Sequence, residues 1–463
     1  MSHLAAFLRA QGNIVLGCDV EEDFFTAPIL AGIKINSFDD ELSEHIDALI
    51  YSGAYNDKLN VINYCKLKGV PIYSYPEFLA LLSKGIKTYG VSGTHGKTTT
   101  TAYTSYLLKS LSFKGGAIFG SFLLDLSIYN KGRDALVIEA CEYKNHFNLY
   151  QLAGLVITNI DFDHPDYFKT LDDVKESFHQ RFLTLGQNGV VICHSSAYNI
   201  VSRWVCERPD IKVIVYSKGK YSVINSYDSY EVDGVKINTG EKNHLILDDI
   251  VAAMLLSAVI ILKNNNKELS DNNIHQELIK LASFIPAFPG VASRGEVVQI
   301  KNNITFISDY AHHPNEIKTC IDNTRQKYPS SRIIVLFMPH TATRTKALLK
   351  DFASALSLAD DVFIQNVYSS ARHDEVKENL SLALTKEIEK KVFRSFLSKI
   401  NQVVYIKDDD SAVDIVSAFL LSGDVCITMG AGNNRKLIKR IIDKLWKVWP
   451  LMVIAHIHLM SFS

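Results

Sequence analysis

The chain has 463 residues, 47% of them hydrophobic, with 49 Lys plus Arg against 50 Asp plus Glu. That length exceeds what one hydrophobic core supports and predicts about three domains. The balanced charge excludes a nucleic-acid face built on basic excess, so small-molecule partners are expected and no nucleic acid.

Cys18, Cys65, Cys141, Cys193, Cys206, Cys320 and Cys426 stand singly in or beside apolar runs, which fits buried free thiols in a reducing compartment. The apolar run 449–460 is too short to span a bilayer and contains Pro450, His456 and His458. With no signal peptide at the start, the expectation is a cytoplasmic protein without a membrane span.

Leu4, Ala5, Phe7 and Leu8 share one helical face that stops at Gly12, and IVLGCDV then reads as a buried strand. Strand candidates ALIYSG (48–53) and PIYSY (71–75) flank a helical pattern over 60–68. A doubly wound domain should begin with a strand, whereas this chain begins inside a helix. The first 85 residues therefore read as a small Rossmann-like domain lacking its first strand and phosphate loop.

From Ile86 a central domain (86–285) is expected, with strands GAIFG, ALVIEA, GLVITNI, VVICHS and KVIVYS. Such near-continuous Val and Ile runs suit a parallel sheet covered on both faces. EVDGVKINTG (231–240) reads as a hairpin, 247–262 as a helix, and FIPAFPGVASRGE (284–296) as a linker. Beyond it ITFISDY, RIIVLFMP, DVFIQNV, VVYIKD and DVCITMGAG alternate with helical patterns, which makes a Rossmann-like third domain over 286–445 and leaves 446–463 as an unmatched tail. The fold class expected is α/β in three domains, with a P-loop ATPase-type parallel sheet at the centre.

The stretch KTYGVSGTHGKTTTT (87–101) carries the strongest chemical signal: a strand, a glycine turn, then Lys97 and threonines opening a helix. Backbone N–H groups of such a turn and the helix start present positive potential to phosphates. Gly93 and Gly96 admit close approach, Lys97 reaches the β- and γ-phosphates, and Thr98 is placed to hold Mg²⁺. The outer glycine of the ordinary P-loop is replaced by Val91.

Glu139 ends a buried strand in EACE, and Asp161, Asp163 and His164 follow in ITNIDFDHPDYF. Carboxylates at the carboxyl ends of parallel strands line the ligand crevice, so these residues are expected to face the phosphate loop with a metal between. His164 reads either as a metal ligand or as a loop histidine before Pro165, and Asn159 either as a turn residue or a ligand contact. In the third domain, Asp309 and the pair His312–His313 follow a strand, where the histidines also suit a surface turn. His340 and Arg344 stand four residues apart, on one face of a helix start, where Arg suits a carboxylate. GAGNNRK (430–436) reads as another strand–glycine–helix turn, with or without a ligand.

SGTHGKTTT, EACEYKNHF, TNIDFDHPDYF, SDYAHHPNE, PHTATRTK and MGAGNN occur in this order. On these motifs the chain resembles the Mur ligase family from Met1 to about residue 445. The resemblance implies a UDP-binding first domain, an ATP-binding centre and a mobile last domain that receives an amino acid. It implies phosphorylation of the lactyl carboxylate of UDP-N-acetylmuramate by ATP with Mg²⁺, then attack by L-alanine, in a monomer or dimer serving peptidoglycan precursor synthesis. Carried over by motif, Lys97, Glu139 and His164 are catalytic. Gly93, Thr94, His95, Gly96, Lys97, Thr98, Thr99 and Asp309 meet ATP, and Thr98, Glu139 and His164 hold metal. His312, His340 and Arg344 receive the amino acid, and Asp19 touches the UDP-sugar.

The chain departs from the family in lacking an opening G-I-G-G-x-G-M-S loop, which implies either a start farther upstream or a truncated, inactive copy. Thr341 stands where many relatives have arginine, Ser293–Arg294 where two arginines are usual, and His244–Leu245 where His-Asn is common. A sibling ligase for a recycled tripeptide is the nearest alternative activity.

Overall fold

A computed structural model describes residues 1–19, 25–37, 45–53, 60–127, 132–226, 229–239, 244–368, 380–394, 402–430, 432 and 434–445. The tail 446–463 lies outside the described residues. The chain forms two compact units, Met1–Val291 and Ala292–Ser463.

The first unit opens with the helix Ser2–Ala10, whose Leu4 and Phe7 are buried with Ile118 and Leu136 of the central sheet. Two short parallel pairs follow: β1 (Leu16–Cys18) with β2 (Lys34–Asn36), and β3 (Leu49–Tyr51) with β4 (Ile72–Ser74). The strand expected at IVLGCDV is shorter than its apolar run. It pairs over only three residues, and Ile14 is 91% exposed. PIYSY likewise ends as a strand at Ser74, which caps the helix Tyr75–Gly85 through a reciprocal box with Glu77.

The central sheet contains β5 (Thr88–Ser92), β6 (Gly115–Ile118), β7 (Ala135–Glu139), β8 (Leu152–Ile157), β9 (Val190–His194) and β10 (Lys212–Tyr216). All are parallel, in the order β10-β9-β8-β5-β7-β6. The chain fills one side of β5 with β6 and β7 and the other with β8 to β10. The topological switch therefore falls between β5 and β8, where α/β sheets open a crevice at their carboxyl ends.

One face of this sheet is covered by the helices Lys97–Ser110, His244–Asn264 and Asp271–Ala282, the other by Tyr75–Gly85 and Leu171–Leu183. Within His244–Asn264 an 18-residue window has a mean hydropathy of 2.5 and the helix has the length to cross a membrane, but Ile250–Leu262 is buried in this core without a break. Each such large apolar side chain contributes about 1.5–3 kcal/mol on burial, which accounts for the unbroken apolar sequence. The expected hairpin is a three-stranded antiparallel sheet, β11 (Ile224–Ser226), β12 (Ser229–Val232) and β13 (Val235–Ile237).

The segment 284–291 is packed rather than bare. Phe288 stacks on Tyr103 with centroids 3.6 Å apart, Tyr106 Oη donates to the Phe284 carbonyl at 3.1 Å, and Val291 bridges to Leu123. Its two phenylalanines bury against the helix Lys97–Ser110, a gain that outweighs the flexibility its prolines and glycines suggest.

The second unit holds β14 (Glu296–Lys301), β15 (Ile304–Asp309), β16 (Ile333–Met338), β17 (Asp361–Ile364), β18 (Gln402–Tyr405) and β19 (Val425–Gly430). Their order is β14-β15-β19-β16-β17-β18, with β14 antiparallel at the edge and the others parallel. The central strand β19 is buried throughout, between two apolar layers that helices such as Pro314–Lys327 and Asp409–Phe419 help to build.

Candidate active site

The fully buried β5 delivers the loop 93–96 at the carboxyl edge of the sheet. Gly93 has φ +135°, and a Cβ there would meet the Thr158 hydroxyl and come within 3.0 Å of Asn159 N, so the loop lies directly on the end of β8. Gly96 (φ +81°) occupies the N-cap of Lys97–Ser110 in the left-handed region, with no side chain capping the helix start. A helix start that no side chain caps, behind a glycine turn, is the geometry that binds phosphate.

The loop is braced by the segment after β8. Asn159 clamps His95, its Oδ1 accepting from His95 N at 3.0 Å and its Nδ2 donating to His95 O at 3.2 Å. Thr94 Oγ1 accepts from Asp161 N at 3.0 Å. Thr158 donates to the His95 carbonyl. Asn159 thus braces the phosphate loop, a role other than the turn residue or ligand contact expected of it. Lys97 folds back, donating to Gly93 O, to Thr94 O at 3.0 Å and to Glu142 Oε2 at 3.5 Å. Burial disfavours its ammonium, but the adjacent Glu142, with Glu139 and Asp163, outweighs burial, and the net shift of its pKa is upward.

Thr98 Oγ1 donates to Glu139 Oε1 at 3.0 Å, and Glu139 Oε2 accepts from Gly120 N at 2.8 Å. A hydroxyl and a carboxylate in contact beside an open helix start form an oxygen donor set suited to Mg²⁺. Thr99 sits half-buried on the same turn.

His164 has a backbone φ of +54°. Its Nε2 lies 3.9 Å from Glu142 Oε1, 3.8 Å from Asp163 Oδ2 and 4.0 Å from Cys141 Sγ. Tyr143, whose hydroxyl donates to Asp166 Oδ2 at 2.7 Å, lays its ring 4.7 Å from the His164 ring. The fully buried Arg181, its pKa lowered to about 10 by burial, donates from Nη1 to the carbonyls of Phe147 and Tyr150, both at 2.6 Å, and so anchors the segment after Tyr143.

Two partners of this site receive no role from the sequence. Glu142, 1% exposed, joins Lys97 to His164, and its signal was only its place three residues after Glu139. Asp249 accepts from Thr100 Oγ1 at 3.2 Å and lies against Gly96. Its signal was a pair of acids, Asp248 and Asp249, in an otherwise apolar helix. Asp19 stands apart at the end of β1, its N–H donating to Asn36 O at 3.2 Å.

In the second unit, Asp309 ends β15 and accepts from Gly295 N and Ala311 N, both at 2.7 Å. Burial raises its pKa, opposed by Arg294 and these two donors. The adjacent histidines divide: His313 caps the helix Pro314–Lys327 in a box with Glu316, while His312 turns its ring to within 5.6 Å of His340. His312 Nδ1 donates to Tyr310 O at 2.9 Å. The buried Arg344 donates from Nη1 to His340 Nδ1 at 3.2 Å and holds that ring with its proton on Nε2, but His340 precedes the helix Ala342–Ala347 in an extended bridge, so the two meet across the helix start and not on one helix face. Thr341, between them, adopts φ +62° and ψ 138°, a costly conformation for a β-branched residue.

Comparison with known proteins bears on the whole chain. The Mur ligase family catalytic domain matches residues 1–87, the Mur ligase middle domain 91–251 and the Mur ligase glutamate ligase domain 293–432. The chain is 35% identical over 452 residues to UDP-N-acetylmuramate--L-alanine ligase of Borreliella burgdorferi, covering 93% of this chain and 94% of that one. It is 31% identical over 471 residues to the protein of the same name from Lactiplantibacillus plantarum, covering 96% of each. In fold it is similar to the UDP-N-acetylmuramate-alanine ligase of Thermotoga maritima, with TM-score 0.72, 21% identity and 97% of both chains covered. Identity of this extent, with three successive family domains in register, places the chain in the Mur ligase family.

Proposed function

We propose that the chain joins L-alanine to the lactyl carboxylate of UDP-N-acetylmuramate, converting ATP to ADP and phosphate, in the synthesis of peptidoglycan precursors. The observation that carries this reading is the near full-length similarity to relatives bearing that name. We assign the UDP-sugar to 1–85, ATP to 86–285 and the amino acid to 286–445, in a cytoplasmic monomer or dimer.

An amine does not displace oxide from a carboxylate, so one carboxylate oxygen must first become a leaving group. Transfer of the γ-phosphoryl group to it requires neutralisation of negative charge around that phosphate. The uncapped start of Lys97–Ser110 and the backbone N–H groups of the loop, other than the His95 N–H that Asn159 holds, receive the phosphates, while Lys97 exchanges its Gly93 and Thr94 carbonyls for phosphate oxygens. Thr98 and Glu139 hold Mg²⁺, with His164 at a second position, and bound magnesium supplies further charge neutralisation. Asp309 meets the ATP ribose and Asp19 the UDP-sugar. Arg344 binds the alanine carboxylate beside His312 and His340. The amine then attacks the acyl phosphate, loses a proton, and phosphate departs as the amide forms.

Phosphate release by the purified chain with ATP, Mg²⁺ and UDP-N-acetylmuramate tests this reading. Turnover should require L-alanine and vanish in Lys97→Ala. Turnover with the murein tripeptide but not alanine would reassign the substrate, and silence with both would favour an inactive copy.

A further inference from the structure

Cys141, Glu142 and His164 converge where the segment after β7 meets the segment after β8. One ligand atom of each lies within 4.8 Å of the other two. His164 Nε2 is 4.0 Å from Cys141 Sγ and 3.9 Å from Glu142 Oε1. That carboxylate oxygen is buried and accepts no hydrogen bond, although the residue is 1% exposed. An unsatisfied buried acceptor is costly, and a cation removes the cost. Lys97 occupies the other oxygen, Oε2, and leaves Oε1 to the histidine.

Tetrahedral zinc, with bonds of about 2.0–2.3 Å, sets its ligand atoms roughly 3.3–3.7 Å apart. The two distances from His164 each need to close by less than about 1 Å, and no pair by more than about 1.5 Å, to meet that geometry. The set selects its ion: magnesium takes oxygen and avoids thiolate, whereas thiolate, imidazole and carboxylate together suit zinc and its soft analogues. Asp163 Oδ2, 3.8 Å from the same His164 nitrogen, adds negative charge at the rim.

We propose that Cys141, Glu142 and His164 form a binding site for a thiophilic divalent cation, zinc foremost, with its fourth position open to water. Binding releases the Cys141 proton to solvent as the metal–sulfur bond forms. A regulatory consequence rests on the ligase reading above. Zinc draws Glu142 away from Lys97 and removes His164 from the magnesium position, so it inhibits the magnesium-dependent reaction.

The metal-free full-length chain, titrated with zinc against a chromophoric chelator, should bind one equivalent in the presence of excess Mg²⁺. Cobalt in its place should give a near-ultraviolet thiolate-to-metal absorption band. Cys141→Ser should weaken zinc binding by at least ~100-fold and abolish the band, with an unchanged circular dichroism spectrum, while Cys206→Ser, at an exposed thiol elsewhere, should change neither. Equal zinc affinity in Cys141→Ser, or no band in the wild type, overturns the site. In the phosphate-release assay, with each variant referred to its own zinc-free rate, wild type should be inhibited and Cys141→Ser should resist. Zinc bound through Cys141 without inhibition overturns the regulatory step. The chelator and cobalt arms decide the site even if the chain shows no ligase turnover, so the two readings fail separately.

Discussion

In the first unit the phosphate loop is cross-braced by directional bonds: Asn159 clamps both backbone groups of His95, Thr94 exchanges hydrogen bonds with Asp161, and Thr98 rests on Glu139. In the second unit the histidine–arginine cluster combines ring contacts, His312 on His340 and His340 on Tyr368, with hydrogen bonds from Arg344 to His340 and from His312 to the Tyr310 carbonyl, and a strained threonine stands between His340 and Arg344. On the proposed function, the first arrangement would present N–H donors where phosphate charge must be met without reorganisation. The second would orient planar groups around the amino acid, where shape sets selectivity. Perturbing the loop should therefore strike the chemical step, whereas perturbing the cluster should act first on amino-acid binding.

Lys97→Ala gives the widest separation between the two regions. It removes the cation aimed at the transferred phosphoryl group, and kcat should fall at least ~10³-fold. The KM for L-alanine, read in the same steady-state series, should move little. A comparable rise in that KM would erase the distinction between the two regions.

Arg344→Lys tests the other side. It keeps the charge but loses the planar fork, so the KM for L-alanine should rise ~10–100-fold with kcat changed several-fold less. Equal loss in both parameters would mean that Arg344 acts in the transition state.

Glu142→Gln sharpens the electrostatic part. In the wild type, burial disfavours the Lys97 ammonium, but the surrounding acidic groups, Glu142 foremost, together outweigh it, so its folded pKa lies above the ordinary lysine value. The stabilisation from this pairing is fully present below the unfolded pKa and is lost only as pH rises through the raised folded one. With the carboxylate neutralised, burial dominates and Lys97 loses its proton at lower pH. The kcat/KM for ATP should then fall ~10-fold between about pH 8 and pH 10 in the variant, while the wild type stays flat. Parallel profiles would remove Glu142 as the partner that keeps Lys97 charged.

Thr341→Gly has the smallest expected effect. Relief of the backbone strain exceeds the added unfolded-state entropy by about 1 kcal/mol, so the thermal midpoint should rise by a few degrees. A lower midpoint would show that side-chain contacts of Thr341 outweigh its backbone cost.

Much of this arrangement is legible in the sequence because the physics is local. Runs such as ALVIEA and RIIVLFMP are apolar on both faces and become buried parallel strands, and a glycine turn before Lys97 leaves few alternatives to an anion-binding helix start. The rest is hidden for particular reasons. The strand Lys34–Asn36 is too short for a period, and Glu296–Lys301 is a half-exposed edge strand that begins inside a glycine- and proline-rich stretch. Tyr75–Gly85 carries a readable Ser74–Glu77 capping box, masked by the strand-like Tyr73 and Tyr75 on either side of Ser74. The pairing of Glu142 with Lys97 spans 45 residues and exists only once β5 and β7 lie side by side. Likewise, nothing in the pair His312–His313 says which ring caps the following helix.

The proposed ligase activates a carboxylate through an acyl phosphate. Its most direct test is to supply UDP-N-acetylmuramate labelled with oxygen-18 in the lactyl carboxylate, together with ATP, Mg²⁺ and L-alanine, and to analyse the released phosphate by mass spectrometry. One labelled oxygen per phosphate, formed in step with the amide product, is the predicted result. Amide formation with unlabelled phosphate, or phosphate release without amide, would contradict it.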